Sequence, residues 1–463
     1  MAERDTRTRC PECERLVARV AELEAQLAAA RKHSGNSSKP PSSDIVKPPP
    51  SAAAGKNKKR RRGGQPGHPR HERPAFPPEA IDEPFDYTLE HCPDCGGSLE
   101  ADDGLPRVVQ QVEIKEKPLR IEEHRGLPFW CAQCRRLHYG VIPQAVVNAG
   151  LLGPRLTALV GFLKSVCHAS FSTIRKFLRD VVGITISRGH LAKVVRKVSA
   201  SLRNSYEELL ATLPGEERLN VDETGHRDQG NRLWTWCFRA PLYTLFRIAP
   251  SRGSDVLIEV LGREFDGLLG CDYFSAYRKY MKDCGVVVQF CLAHLIRDVK
   301  FLVEHPNAAN RRYGTMLLEH LRKLFGIIHR RETYASDASF RKALATVRNA
   351  LVGDAILKLA HTREAGNLAD RFVNHMDSYF RFITTPNVEP TNNLAEQAIR
   401  FVAIHRRMTQ GTRGAIGQRW CERIWTVVTT CAQQGRSVFE FLVKAVQAHF
   451  QAAPAPSLLP DST

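Results

Sequence analysis

RLNVDET, residues 218–224, reads as a buried strand that runs into carboxylates. Everything after it keeps a recognisable rhythm. RLWTWCF (232–238) and LYTLFRI (242–248) alternate as paired antiparallel strands do, with APLY (240–243) as the turn between them. SDVLIEVLG suits a helix capped by Ser254. DGLLGCD is a short buried strand ending in Asp272, and VVVQFC is another, followed by a helix from about Leu292. The order β-β-β-α-β-α-β-α describes a mixed sheet flanked by helices. If the strands ending in Asp222 and Asp272 are neighbours, the two carboxylates face one place. Glu223 adjoins Asp222, but adjacent strand residues point to opposite faces, so Glu223 is not expected as a principal ligand.

Downstream, residues 300–385 read as helix, with Leu317, Leu321, Leu324 and Ile328 as one apolar stripe. A last helical region runs from Asn393 to Gln451 and contains Glu396. Taken alone, Glu396 has an ordinary reading as the far end of a capping box begun by Asn393, or as the partner of Arg400 one turn on.

Upstream, residues 151–213 are also helical. Leu156, Leu159 and Leu163 share a face, a second helix runs from Phe171 to Val182, and GITIS makes a turn. The third helix, Arg188 to Leu202, carries Arg188, His190, Lys193, Arg196 and Lys197. A glycine-containing turn followed by a basic helix is the outline of a helix-turn-helix that enters the major groove. Before it lie CPDC, with Cys92 and Cys95, and CAQC, with Cys131 and Cys134, separated by 35 residues. Two such pairs supply four thiolates for one tetrahedral structural Zn²⁺. Cys10 and Cys13 make a third C-x-x-C pair without further ligands nearby. Between residues 34 and 84 the composition is rich in Pro, Ser and Gly and cannot bury a core. Inside it, Lys58, Lys59, Arg60, Arg61 and Arg62 form a basic tract that neutralises phosphates without reading sequence. Leu16, Val20, Leu23 and Leu27 are spaced as in a short coiled coil.

The 463 residues exceed one core, and the formal charge of +18 points to a polyanionic partner. The odd count of 13 cysteines and the absence of an apolar leader argue against a disulfide framework and for a cytoplasmic protein. The longest apolar stretch, Leu151 to Leu163, is interrupted by Pro154 and Arg155, so no membrane partner is expected.

These pieces together resemble the DDE transposases of the insertion sequence 66 family. The matching motifs are SGNSSKPPSSD, GGQPGHP, CPDC, CAQC, VDETGHR, CDYFSAY, CLAHLIRD and EPTNNLAEQAIR, spread from about residue 10 to residue 450. The resemblance implies a multidomain α+β protein whose RNase H-like mixed α/β core is interrupted by a helical insertion. It implies Asp222, Asp272 and Glu396 as a metal-binding catalytic triad for Mg²⁺ or Mn²⁺, cutting and joining double-stranded DNA by two-metal phosphoryl transfer. Cys291 and His294 match a C-x-x-H feature of related enzymes, for which the sequence offers no metal partners and a structural role is expected. Where relatives carry an Arg-Lys-Asn-Trp run, this chain reads His405-Arg406-Arg407-Met408. Arg400, Arg406 and Arg407 are candidate phosphate contacts.

The expected organisation is a coiled-coil helix at 1–33, a basic linker at 34–90, a zinc-ribbon-like module at 91–139 and a helical DNA-binding region at 140–213. The core occupies 214–299 and 390–451, with the insertion at 300–389 and a tail at 452–463. Partners are transposon-end and target DNA, further copies of the chain, and small accessory proteins. The competing readings are an inactive zinc-containing DNA-binding regulator and a hydrolysis-only RNase H-type nuclease.

Overall fold

The computed structural model describes residues 10–33, 35–37, 75–87, 91, 94–96, 98, 108–112 and 119–459. The chain divides into two compact units, residues 49–122 and the remainder. In the smaller unit, Gln110 brackets Phe76: its Oε1 accepts from the Phe76 amide at 2.6 Å, and its Nε2 donates to the Phe76 carbonyl at 3.0 Å.

The larger unit begins with α1 (Pro11–Ala30), where Pro11 opens the helix and Glu12 and Glu14 suit its positive end. None of its residues is buried, and Leu16, Val20, Leu23 and Leu27 all stand exposed. Just past α1, the Asn36 amide donates to Glu304 at 2.6 Å. Next come β1 (Pro128–Cys131) and β2 (Arg136–Tyr139), an antiparallel hairpin.

A helical group follows: α2 (Gln144–Ala149), α3 (Pro154–Ser165), α4 (Phe171–Phe177), α5 (Arg188–Ser201) and α6 (Arg203–Thr212). Residues Gln144–Ser165 are together long and apolar enough to cross a membrane. They are broken at Gly150, whose φ of 68° only glycine adopts cheaply, and Ala158 and Val160 beyond the break are fully buried. The Leu156, Leu159 and Leu163 face of α3 is only half-buried. The buried face is the small-residue one, Thr157, Ala158, Gly161 and Ser165, because α5 approaches too closely for leucine. A Cβ on Gly161 would lie 3.0 Å from Val198. The turn after α4 widens through Leu178–Val182 and stops at Gly183 in the left-handed region; Ser187 then caps α5 by accepting from the His190 amide.

The sheet region runs β3 (Arg218–Asp228), β4 (Asn231–Arg239), β5 (Thr244–Ala249), α7 (Ser254–Leu261), β6 (Leu268–Cys271), α8 (Ser275–Cys284), β7 (Val287–Phe290) and α9 (Leu292–Val303). This is the expected β-β-β-α-β-α-β-α order. In space the strands lie β5-β4-β3-β6-β7, with β3, β4 and β5 antiparallel and β3, β6 and β7 parallel. The cap expected of Ser254 is absent. Ser254 is the first helical residue, and Ser251 and Asp255 bond each other instead.

Helices α10 (Ala308–His329), α11 (Asp337–Leu357) and α12 (Arg363–Thr384) form the helical stretch after the sheet. On α10 the buried stripe includes Leu317, Leu321, Leu324 and Ile327, while Ile328 is only half-buried. Gln289 in β7 fastens the end of α12 by bonding the Tyr379 carbonyl and the Phe382 amide. The chain ends with α13 (Asn393–Thr409), α14 (Ala415–Gln433) and α15 (Val438–Phe450). Both faces of the sheet carry buried aromatic residues: Phe246 meets Trp425 of α14 on one, and Trp236 with Phe238 meets Tyr277 of α8 on the other. The molecule is a mixed α+β protein, as expected.

Candidate active site

The parallel pairing of β3 with β6 sets Asn220 opposite Gly270. Asp222 and Asp272 each lie two residues further along, so the pleat turns both to the same face of the sheet. Gly270 is required by this register, since a Cβ there would sit 2.5 Å from the Asn220 side chain. Each aspartate is held by a local amide: Asp222 accepts from Glu223 and Asp272 from Phe274, both at 2.9 Å.

Glu396 arrives from the first turn of α13. The capping-box reading fails here, because the residue that caps α13 is Asn392, and Asn393 is already helical and exposed. The Asn392 side chain is spent on the sheet, accepting from Asn220 at 2.9 Å and donating to the Val221 carbonyl at 2.8 Å. Its amide donates to Cys291 Sγ at 3.1 Å. Asn392, which sequence reasoning passed over, therefore ties the start of α13 to the end of β3 beside Asp222. Its only signal in the sequence was the paired asparagine of TNNLAE. The described ion pair of Glu396 is with Arg297 at 3.4 Å rather than with Arg400, and His294 Nδ1 lies 3.5 Å from its other oxygen. The C-x-x-H pair thus stands beside Glu396, a neighbour that the sequence did not reveal.

The electrostatics follow from burial first and from neighbouring acids second. Burial, then the charges of Glu223, Asp272 and Glu396, pushes the Asp222 carboxyl well above its ordinary range. Burial and the Glu223 charge push Asp272 up to about 7. Both acids hold their protons more tightly than free aspartates, and a bound cation would offset this. Glu223 is differently placed: its buried carboxylate accepts from Tyr277 and pairs with Arg252 at 2.6 Å. Arg252 in turn stacks on Phe274, 3.8 Å from the ring centre. His294 is driven down to about 4 by burial and by Arg297, so it is neutral at physiological pH.

The candidate DNA contacts fall on several segments. Arg188, Lys193 and Arg196 stand exposed on α5, and Arg400 and Arg407 on α13. Arg406 is drawn inward, donating to Thr224 at 3.2 Å on the same strand as Asp222, and His405 is buried against His168. Lys58, Lys59, Arg60, Arg61 and Arg62 lie outside the described residues, as does Cys92. Cys95 is exposed. Cys131 and Cys134 close the β1–β2 turn, where the Cys134 amide holds the Cys131 thiol below its ordinary value. A cavity of about 820 Å³ lies between α4, α5, α13 and α14, and none of the three acids lines it.

Comparison with known proteins agrees with the motif reading. The model of a family described as Transposase IS66 family matches residues 149–419, and a family of unknown function matches residues 8–74. Two similar proteins, both from Sinorhizobium fredii (strain NBRC 101917 / NGR234), are named uncharacterized protein y4hP and uncharacterized protein y4qI. The first is 24% identical over 376 residues, covering 73% of this chain and 67% of that protein. The second is 22% identical over 353 residues, covering 68% and 63%. The chain thus spans about two thirds of the length of these relatives. The family match covers more than half of the chain, including two strand-end aspartates and the helix glutamate, and the chain belongs to the Transposase IS66 family.

Proposed function

We propose that this protein is a DDE transposase that cuts DNA at transposon ends and joins it to a target, with Asp222, Asp272 and Glu396 holding Mg²⁺ or Mn²⁺. The observation that carries the reading is that the β3–β6 register turns Asp222 and Asp272 to one face while the Glu396 charge acts on Asp222; burial, then the Glu223 charge, raises both aspartates above their ordinary values. Such a cluster is unfavourable alone and suits a hard divalent cation with oxygen ligands. When bound, the metal ions polarise the attacking water or 3′ hydroxyl and offset the charge on the leaving oxygen. The chain's own part is to hold the acids rigid. Amides fix the aspartates, Asn392 anchors the helix of Glu396, and Arg406 of α13 bonds Thr224, two residues along β3 from Asp222, as a candidate phosphate contact.

The strand order, three antiparallel strands followed by two parallel ones, supports an RNase H-like core with α10 to α12 as its insertion. We assign α4 and α5 to a helix-turn-helix reader and the tract 58–62 to phosphate binding. Cys92, Cys95, Cys131 and Cys134 are assigned to a structural Zn²⁺, and α1 to self-association. The test is incubation of the purified protein with labelled transposon-end DNA, a target plasmid and Mg²⁺. Joined product that disappears on chelation is expected. Nicks without joined product would leave a nuclease, and no cleavage with intact binding would leave a regulator.

A further inference from the structure

The loop from β7 into α9 carries a group of side chains that the cleavage reading does not use. Cys291 caps α9, and His294 follows on its first turn. With Glu396 across from them, their ligand atoms all lie within 4.8 Å of one another. The donor set is sulfur, nitrogen and oxygen, unlike the all-oxygen pair Asp222 and Asp272. Two of its atoms, His294 Nδ1 and Glu396 Oε1, are buried without a hydrogen-bond partner, and they face each other at 3.5 Å. Leaving two such atoms unsatisfied in the interior is costly, and one shared ligand would satisfy both. Cys291 Sγ takes the Asn392 amide at 3.1 Å and lies against the amides of His294 and Ala293, while burial pushes its thiol up to about 11, so a bound cation must displace the thiol proton.

We propose that Cys291, His294 and Glu396 form a binding site for a thiophilic divalent cation, Zn²⁺ foremost, distinct from the Asp222 and Asp272 pair and sharing only Glu396 with it. Three protein ligands leave the fourth tetrahedral position to water or to a substrate oxygen. Bond lengths of about 2.0–2.3 Å require the ligand atoms to draw together by roughly 1 Å. One rearrangement accompanies binding. Arg297 Nη1 donates to His294 Nε2 at 3.1 Å, so the metal-free ring carries its proton on Nδ1. Coordination at Nδ1 shifts that proton to Nε2, and Arg297 turns to Glu396 Oε2, already 3.4 Å from its other nitrogen. The site stands independently of the cleavage reading. Its consequence rests on that reading: an ion here draws Glu396 away from the aspartates.

The test is zinc content per chain of the full-length protein after dialysis against micromolar Zn²⁺, compared with Cys291→Ser and His294→Gln, with folding checked by circular dichroism. One equivalent fewer in each folded variant is expected, whatever the four-cysteine site contributes, because that site is untouched. Co²⁺ uptake should show the same missing equivalent, with the loss of a visible band of mixed sulfur and nitrogen ligation. If Cys291→Ser does not fold, His294→Gln decides alone. Equal zinc in wild type and the folded variants would overturn the site. Failure of the cleavage reading is seen separately, as undiminished Mg²⁺-dependent cleavage by Glu396→Gln.

Discussion

Asn392 and Asn393 stand side by side and are predicted to behave oppositely. Asn392 is buried and bonds Asn220, the Val221 carbonyl and Cys291 Sγ, whereas Asn393 is exposed on the first turn of α13. Asn392→Ala should cost about 1–3 kcal/mol in urea unfolding, because it strips buried groups of partners, and it should slow DNA cleavage by displacing Glu396. Asn393→Ala should stay within about 0.5 kcal/mol of wild type. The reverse order would restore the capping reading. That reading was reasonable from the sequence, where helix starts are recognised by a polar residue spaced from an acid, and nothing local reveals that an asparagine side chain is turned to a distant strand. Glu396 was legible through its motif and not through its surroundings. His405 makes a second residue-level prediction. Burial first, then the nearby His168, holds its ring down at about 3, against an ordinary 6.5. The folded state therefore binds fewer protons than the unfolded one, so this contribution to stability is present above pH 6.5 and is lost as the pH falls towards 3. Raised acids such as Asp272 act in the opposite sense, so the difference between variants is the informative quantity. His405→Gln should make the loss on acidification shallower by up to about 1.4 kcal/mol per pH unit, measured by urea midpoints across that window. Parallel profiles would contradict it.

At the level of elements, α14 completes the sheet. β5 is an edge strand, and its outward amides at Thr244, Phe246 and Ile248 are taken by Thr430, Thr426 and Glu422, which recur at every turn of the helix. A helix with a period near four residues thus meets a strand with a period of two and satisfies its free edge. Thr426→Val keeps the shape and removes the acceptor, so it should destabilise by about 1–3 kcal/mol in chemical unfolding. An unchanged midpoint would mean that the Phe246 amide needs no partner. The strands and helices of this region were legible because each buries an alternating or helical apolar set. The polar residues of α14 were not, since buried threonine and glutamate look like misfits until the strand edge is beside them. Ser254 failed as a cap for a related reason: Ser251 and Asp255 bond each other at the start of α7, and Ser254 is already helical. α5 carries the DNA prediction. Replacing Arg188, Lys193 and Arg196 together with alanine should weaken binding and flatten the salt dependence by about 0.9 in log–log slope for each phosphate no longer neutralised. An unchanged slope would remove α5 from the interface.

Across the whole molecule, the charge of +18 and the acid cluster have opposite requirements, and DNA with a divalent cation meets both. Among the described candidate DNA contacts, the exposed ones belong to α5 and α13, whereas the aspartates lie at the ends of β3 and β6 and Glu396 on the first turn of α13. The sheet order could be foreseen only as far as a mixed sheet. That β3 takes the centre, with β4 on one side and β6 on the other, depends on long-range pairing that no local pattern encodes. The central claim is that Glu396 acts with Asp222 and Asp272 on the scissile phosphate. It is tested most directly by single-turnover cleavage of end DNA in Mg²⁺ by Glu396→Gln, with unfolding midpoint and DNA affinity measured on the same preparation. A rate lower by orders of magnitude, with folding and DNA binding retained, is the predicted result, and Asp222→Asn and Asp272→Asn should match it. Cleavage by Glu396→Gln at a rate near that of the wild type would contradict the account.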